Sequence, residues 1–97
     1  MLAQARSRIR RYTPEEAKAD LELLLVDTRS GDERERDGVI PGSKHLPLSV
    51  LPWRTEAVAG RRVCLVCAHG YASSLAAALL VELGVDAGDL IGGYEAW

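Results

Sequence analysis

The sequence predicts an α/β domain, with a small, mostly parallel central sheet flanked by helices on both faces. Two short runs, Leu23 to Val26 and Val63 to Cys67, are apolar without interruption, as strands buried on both faces are. Helix-starting and helix-stopping residues fall between and after these runs. Strands that alternate with helical segments build a sheet whose neighbours run parallel. Ninety-seven residues make one small domain, here residues 1–97.

The chain opens on a basic segment, about residues 1–12, where Arg6, Arg8, Arg10 and Arg11 cluster; it is expected to be a solvated face. Thr13-Pro14-Glu15-Glu16 then reads as a helix start, with Thr13 as N-cap, Pro14 at the first helical position and Glu16 closing a capping box. That helix should run to about Asp20. The first buried strand follows and ends at Asp27. Asp32 to Asp37 is dense in charge and predicted helical, stopped by Gly38. Residues 39–43 turn the chain, and His45 to Leu48 offers a short strand, placed at an edge or a strand end by Pro47.

Ser49 to Arg54 should be irregular or a single turn. The second buried strand ends at Cys67 and is followed by a loop. An apolar helix is then predicted from about Ser73 to Leu83, with Gly84 as its C-cap. Asp89-Leu90-Ile91 is read as a last short strand, and Gly92-Gly93 leads to a final helix at Tyr94. Ligands of such sheets sit at the carboxyl ends of the strands, so Asp27 and Cys67 mark one candidate site.

The bulk numbers exclude several classes. Hydrophobic residues are 47% of the chain, enough for a core, and the net charge of −2 argues against nucleic acid as partner. No apolar run reaches the roughly 18 residues of a membrane span. With two cysteines and no secretory signal, a reducing cytoplasm is the expected compartment and both thiols should be free.

Cys67-Ala68-His69-Gly70-Tyr71-Ala72-Ser73-Ser74 is the most informative segment. A helix N-terminus leaves backbone N–H groups unpaired and carries partial positive charge. A loop curling into it aims further N–H groups inward and makes a nest for an anion. Gly70 supplies the backbone freedom for the curl. A cysteine facing that field has its thiolate, the nucleophilic form, favoured. Cys67 is therefore the candidate nucleophile, against the plainer reading of a small buried hydrophobe.

Cys64 and Cys67 also have Cys-x-x-Cys spacing. On one strand they point to opposite faces, roughly 10 Å apart, beyond the ~7 Å between Cα atoms that a disulfide spans. Cys64 is thus assigned to the core. No second ligand pair exists for zinc. His69 either tunes the sulfur or substrate, or is an exposed loop residue; His45 is read as structural.

These residues resemble a known family. From Thr13 to Trp97 the chain is similar to the single-domain rhodaneses. The resemblance rests on Leu25-Val26-Asp27-Thr28-Arg29, on Gly38 to Ser43 with His45-Leu46-Pro47, on Val66 to Ser74 and on Gly92-Gly93-Tyr94-Glu95-Ala96-Trp97. It implies a sulfurtransferase in which Cys67 takes the outer sulfur of thiosulfate or a related donor, becomes a persulfide and releases sulfite. Cyanide or a thiol then removes that sulfur. The amides of Ala68, His69, Gly70, Tyr71, Ala72 and Ser73 would cradle sulfur and substrate, while Asp27 and Arg29 match a supporting acid and base. No metal or organic cofactor is implied. The partners are a small anionic donor and a thiol or cyanide acceptor, with a protein sulfur acceptor as a further expectation and neither nucleic acid nor membrane.

Three departures stand out. Ala72 occupies a position where many members carry arginine. Val39 replaces a familiar histidine. The family also continues past Ala-Trp, so the terminal helix is expected to be trimmed or naturally short. A phosphatase or arsenate reductase would need Cys-x5-Arg, and Ser73 stands where that arginine belongs. The remaining alternative is a module that carries persulfide, or binds, only with a protein partner.

Overall fold

The computed structural model describes residues 1–97. Five strands form its central sheet: β1 (Arg10–Tyr12), β2 (Leu24–Asp27), β3 (Lys44–His45), β4 (Arg62–Val66) and β5 (Asp86–Leu90). Their spatial order is β1-β5-β4-β2-β3, and every neighbouring pair is parallel.

The middle strand, β4, explains the layering. Its side chains alternate between the two faces, and all from Val63 to Val66 are fully buried. Val63 and Leu65 join a core with Val26, Leu46, Ala77 and Leu80, while Cys64 and Val66 join a second core with Tyr12, Ala17, Ile40 and Leu90. Each such Val or Leu contributes roughly 1.5–3 kcal/mol of burial. The first core lies under α4 (Ala72–Glu82), on which α1 (Leu2–Ser7) packs; the second lies under α2 (Pro14–Ala19). Helices thus cover both faces, as the apolar runs require.

Both charged helices start where their caps dictate. In α2 the Thr13 hydroxyl accepts from the Glu16 amide at 3.1 Å and Glu16 accepts from the Thr13 amide at 2.9 Å. Ser30 and Glu33 repeat that box at the start of α3 (Gly31–Asp37), which buries no residue of its own. No helix is long and apolar enough to cross a membrane.

The structure corrects several boundaries. The basic start is not merely a solvated face: it folds as α1 and β1, and β1 pairs with β5. Its apolar signal is weak because only Ala5 and Tyr12 are buried there. The strand at His45 to Leu48 shrinks to Lys44–His45, although the chain stays alongside β2. Leu46 donates to the Asp27 carbonyl at 3.0 Å and Leu48 to that of Thr28 at 3.1 Å. Pro47, which has no N–H, falls at the outward position between them.

Residues 49–57 form two 3-10 turns, Leu51–Trp53 and Thr55–Ala57. β5 begins at Asp86 rather than Asp89; Asp86-Ala87-Gly88 carries no apolar run to announce it. The final helix is a single 3-10 turn, Tyr94–Ala96. Cys67 lies one residue past the end of β4, and α4 begins at Ala72.

Candidate active site

The carboxyl ends of β2 and β4 lie side by side, with Asp27 paired to Val66. Thr28 closes this junction, its amide and hydroxyl both donating to the Val66 carbonyl at 2.8 and 2.9 Å. The chain then leaves β4 at Cys67 and curls back into α4.

The curl wraps around the Cys67 sulfur. The amide of Gly70 donates to Sγ at 3.1 Å and the amide of Ser73 does so at 3.4 Å. Ser73 Oγ lies 3.2 Å from Sγ. Cys67 is 7% exposed, so the sulfur sits at the floor of an opening rather than on the surface. That opening holds about 220 Å3 and is lined by Cys67 with Thr28, Glu33, Leu48, Tyr71 and Ala72, among others. The expected nest is therefore present. Two of its amides reach the resting sulfur, and those of Gly70 and Ser73 come from the curl and from the first turn of α4.

The loop is latched from behind by the C-terminal turn. The Tyr94 amide donates to the Cys67 carbonyl at 2.7 Å and the Glu95 amide to that of Ala68 at 3.1 Å. This approach explains Gly92-Gly93. Gly93 has φ +66, and a Cβ there would meet the Gly70 nitrogen at 2.7 Å as well as the Cys67 carbonyl. Gly70 has φ +88, and its own Cβ would meet the Gly92 nitrogen at 2.9 Å. Neither position has room for a side chain.

His69 borders the same opening and is tied to the C-terminal turn. Its Nδ1 lies 2.6 Å from Glu95 Oε2, and both side chains are largely exposed. Tyr71 is 63% exposed at the rim, with the Arg6 guanidinium 6.0 Å from its ring centre. Ala72 offers no charge to the opening.

Asp27 and Arg29 form a buried pair below the loop, 0% and 2% exposed. Asp27 accepts from Arg29 Nε at 3.0 Å, Arg29 Nη2 at 2.8 Å, the Arg29 amide at 3.0 Å and Arg34 Nε at 3.2 Å. Burial pushes the Asp27 carboxyl up, but the Arg29 hydrogen bonds outweigh it and hold the group below the usual range. Arg29 also donates to the Gly38 carbonyl at 2.7 Å and stacks 3.8 Å over the Tyr94 ring. The pair thus ties β2, α3 and the C-terminal turn together behind the loop. His45, its ring 2.8 Å from the Arg29 carbonyl, belongs to the same support. Cys64 is fully buried and faces the α2 core; burial pushes its thiol up, and the Asp89 carboxylate adds to that.

Three residues escaped the sequence reading. Arg6 donates from Nε to Ser74 Oγ at 3.1 Å and from Nη2 to the Gly70 carbonyl at 3.0 Å. Arg11 pairs with Asp89, Nε to Oδ1 at 2.8 Å, and Asp89 is 0% exposed. Asp89 also accepts from Ser73 Oγ at 3.0 Å and from Ser74 Oγ at 2.6 Å. One signal was available: a charged residue in a central strand demands a buried partner. The partners, 15 to 78 residues away in sequence, carried none.

Known proteins share this fold and sequence pattern. A relative in Pseudomonas syringae pv. syringae, the thiosulfate sulfurtransferase GlpE, is 38% identical over 92 residues, covering 91% of this chain and 86% of its own. The crystal structure of a rhodanese-like domain protein from Staphylococcus aureus superposes with a TM-score of 0.84 at 28% identity, covering 92% of this chain and 91% of that one. A Rhodopseudomonas palustris protein of unknown function, described as a possible tyrosine phosphatase, reaches 0.89 at 28% identity, over 99% of this chain and 84% of that one. The model of the rhodanese-like domain matches residues 13–97. That span takes in the cradled cysteine, the buried pair behind it and the glycine latch, and by it the chain belongs to the rhodanese-like domain family.

Proposed function

We propose that the protein is a thiosulfate sulfurtransferase that carries sulfane sulfur as a persulfide on Cys67. The observation that carries this reading is the pair of amides, Gly70 and Ser73, aimed at Sγ. Inward N–H groups at a helix start favour a thiolate and then an anionic sulfur beyond it.

In the proposed cycle the Cys67 thiolate attacks the outer sulfur of thiosulfate. The sulfur–sulfur bond of the donor breaks and its electron pair leaves with sulfite. Cys67 then holds one extra sulfur, whose negative charge the loop amides of Ala68 to Ser73 bind in this reading; the Gly70 and Ser73 amides aimed at Sγ support it. An acceptor thiolate or cyanide attacks that outer sulfur, and the electron pair of the broken bond returns to Sγ. Asp27 and Arg29 touch none of these atoms and serve to hold the loop. The similarity to GlpE proteins supports the donor named here.

Phosphatase chemistry lacks its clamp: six residues after Cys67 stands Ser73, and Arg29 is committed to Asp27 and Gly38. A second reading, delivery to a protein thiol, is favoured by one feature. Tyr71, Leu75, Leu79 and Leu83 recur every fourth residue, are 42 to 63% exposed, and run from the sulfur mouth along α4.

The test is sulfite release from thiosulfate with cyanide or a small thiol as acceptor and no other protein present. Repeated turnover that vanishes in Cys67→Ser supports the enzyme. A single sulfur loaded without turnover points to the carrier reading, and turnover surviving in Cys67→Ser contradicts both.

A further inference from the structure

Asp89 is a fully buried carboxylate on β5, next to the middle strand, and the sulfur-transfer cycle above makes no use of it. Burying a charge is costly unless it is paired. Arg11 supplies the pairing, with Nε on Oδ1 at 2.8 Å and Nη2 on Oδ2 at 3.4 Å. The same carboxylate takes two more donors, the hydroxyls of Ser73 and Ser74, both on Oδ2. Ser73 Oγ stands 3.2 Å from the Cys67 sulfur. One hydroxyl therefore lies within hydrogen-bond reach of both the sulfur and a buried carboxylate.

We propose that Asp89, acting through Ser73, is a positioning residue that governs the ionisation of Cys67. This rests on the reading of Cys67 as the reactive sulfur. A serine hydroxyl has one proton and two lone pairs. In the resting thiol the S–H donates to Ser73 Oγ, and the Ser73 proton goes to Asp89 Oδ2. When the thiol loses its proton to water at the mouth, the electron pair stays on sulfur, and Ser73 lone pairs facing it would repel it. The Ser73 hydroxyl must then turn and donate to Sγ, leaving Asp89 with Ser74 and Arg11. Carboxylate and sulfur thus compete for a single proton. Activation of the cysteine therefore depends on releasing that hydroxyl.

Other charged and titratable groups surround the site, and none shares a proton with Ser73. Arg11 comes from β1. Arg6 comes from α1 and binds Ser74 and the Gly70 carbonyl. Cys64 of β4 lies on the opposite face of its strand. Asp27 and Arg29 at the end of β2, with His45 beside them, are paired with one another. Glu33 of α3 lines the mouth with His69 and Tyr71 of the loop, and His69 pairs with Glu95.

The experiment is the pH dependence of iodoacetamide alkylation at Cys67 in the full chain, read by mass on the modified peptide. Asp89→Asn, with a weaker acceptor for Ser73, should move the midpoint down by about one pH unit, the worth of one hydrogen bond to a charged group. Arg11→Gln leaves the carboxylate uncompensated and should move it up. In a Ser73→Ala background the Asp89→Asn shift should disappear. A folded Asp89→Asn protein with an unmoved midpoint overturns the proposal, as does an equal shift without Ser73. If Asp89→Asn does not fold, Arg11→Gln decides alone, and the absence of an upward shift counts against the proposal. Alkylation needs no sulfur donor, so this failure is separable from failure of the sulfurtransferase reading, which shows as absent persulfide.

Discussion

Arg6 of the first helix donates to the carbonyl of Gly70, the turning residue of the sulfur loop, at 3.0 Å. The same guanidinium holds Ser74 at 3.1 Å, so a segment at the start of the chain fixes a loop more than 60 residues away. Arg6→Ala should cost about 1–2 kcal/mol, since hydrogen bonds from a charged group are lost in a partly buried setting. Persulfide formation should slow several-fold as the loop amides lose their aim. Urea unfolding and stopped-flow sulfur loading check the two effects; unchanged loading in a measurably destabilised variant would separate Arg6 from the site.

Gly93 tests the latch. Its φ of +66 and the closeness of Gly70 leave no room for a methyl group, so Gly93→Ala must push the sulfur loop away from the C-terminal turn. The expected cost is roughly 2 kcal/mol or more, with sulfur transfer reduced at least tenfold. Gly31→Ala is the control, because nothing lies within 4 Å of a Cβ there and its φ is not in the left-handed region.

Acid should weaken the support behind the sulfur loop. The carboxyl of Asp27 is held below its usual range by Arg29 against the upward push of burial, so its folded value lies under the unfolded ~3.9. A depressed carboxylate contributes stability that is complete above its unfolded value and is lost as pH falls through the folded one. Stability should therefore decline below about pH 4, and the decline should be shallower in Asp27→Asn. That variant should also lose about 3–5 kcal/mol at neutral pH, because it leaves Arg29 buried without its counter-charge. Urea midpoints across pH in both proteins give the comparison.

The opening over Cys67 is lined by Glu33, by Arg29, which Asp27 already engages, and by His69, which Glu95 engages, with Ala72 among its walls. Ala72→Arg should lower KM for thiosulfate roughly 3- to 10-fold, the effect of about 0.7–1.4 kcal/mol of charge-assisted binding, and change kcat less. A steady-state comparison at low salt reads it directly. An unchanged KM would mean that the donor anion does not pass position 72.

What the sequence disclosed, and what it hid, follows from range. The caps at Thr13 and Glu16 were legible because both partners lie within four residues, and the buried strand at Val63 to Val66 because every position is apolar. Cys67 was legible because the strand, the small-residue loop and the helix start are consecutive. β1 was not, since Arg10-Arg11-Tyr12 reads as surface until β5 lies beside it. Asp89 looked like a strand start because its partners Arg11, Ser73 and Ser74 meet it only in the folded sheet. His69 borders the opening, but its contact with Glu95 joins residues far apart in sequence and carried no local signal.

The measurement closest to the central claim is the intact mass of the reduced protein after incubation with thiosulfate and removal of small molecules. The account predicts a gain of one sulfur atom in the native chain and in Cys64→Ser, none in Cys67→Ser, and loss of the gain on adding cyanide. No gain in the native chain with Cys67 free and reduced, or a gain that persists in Cys67→Ser, would contradict it.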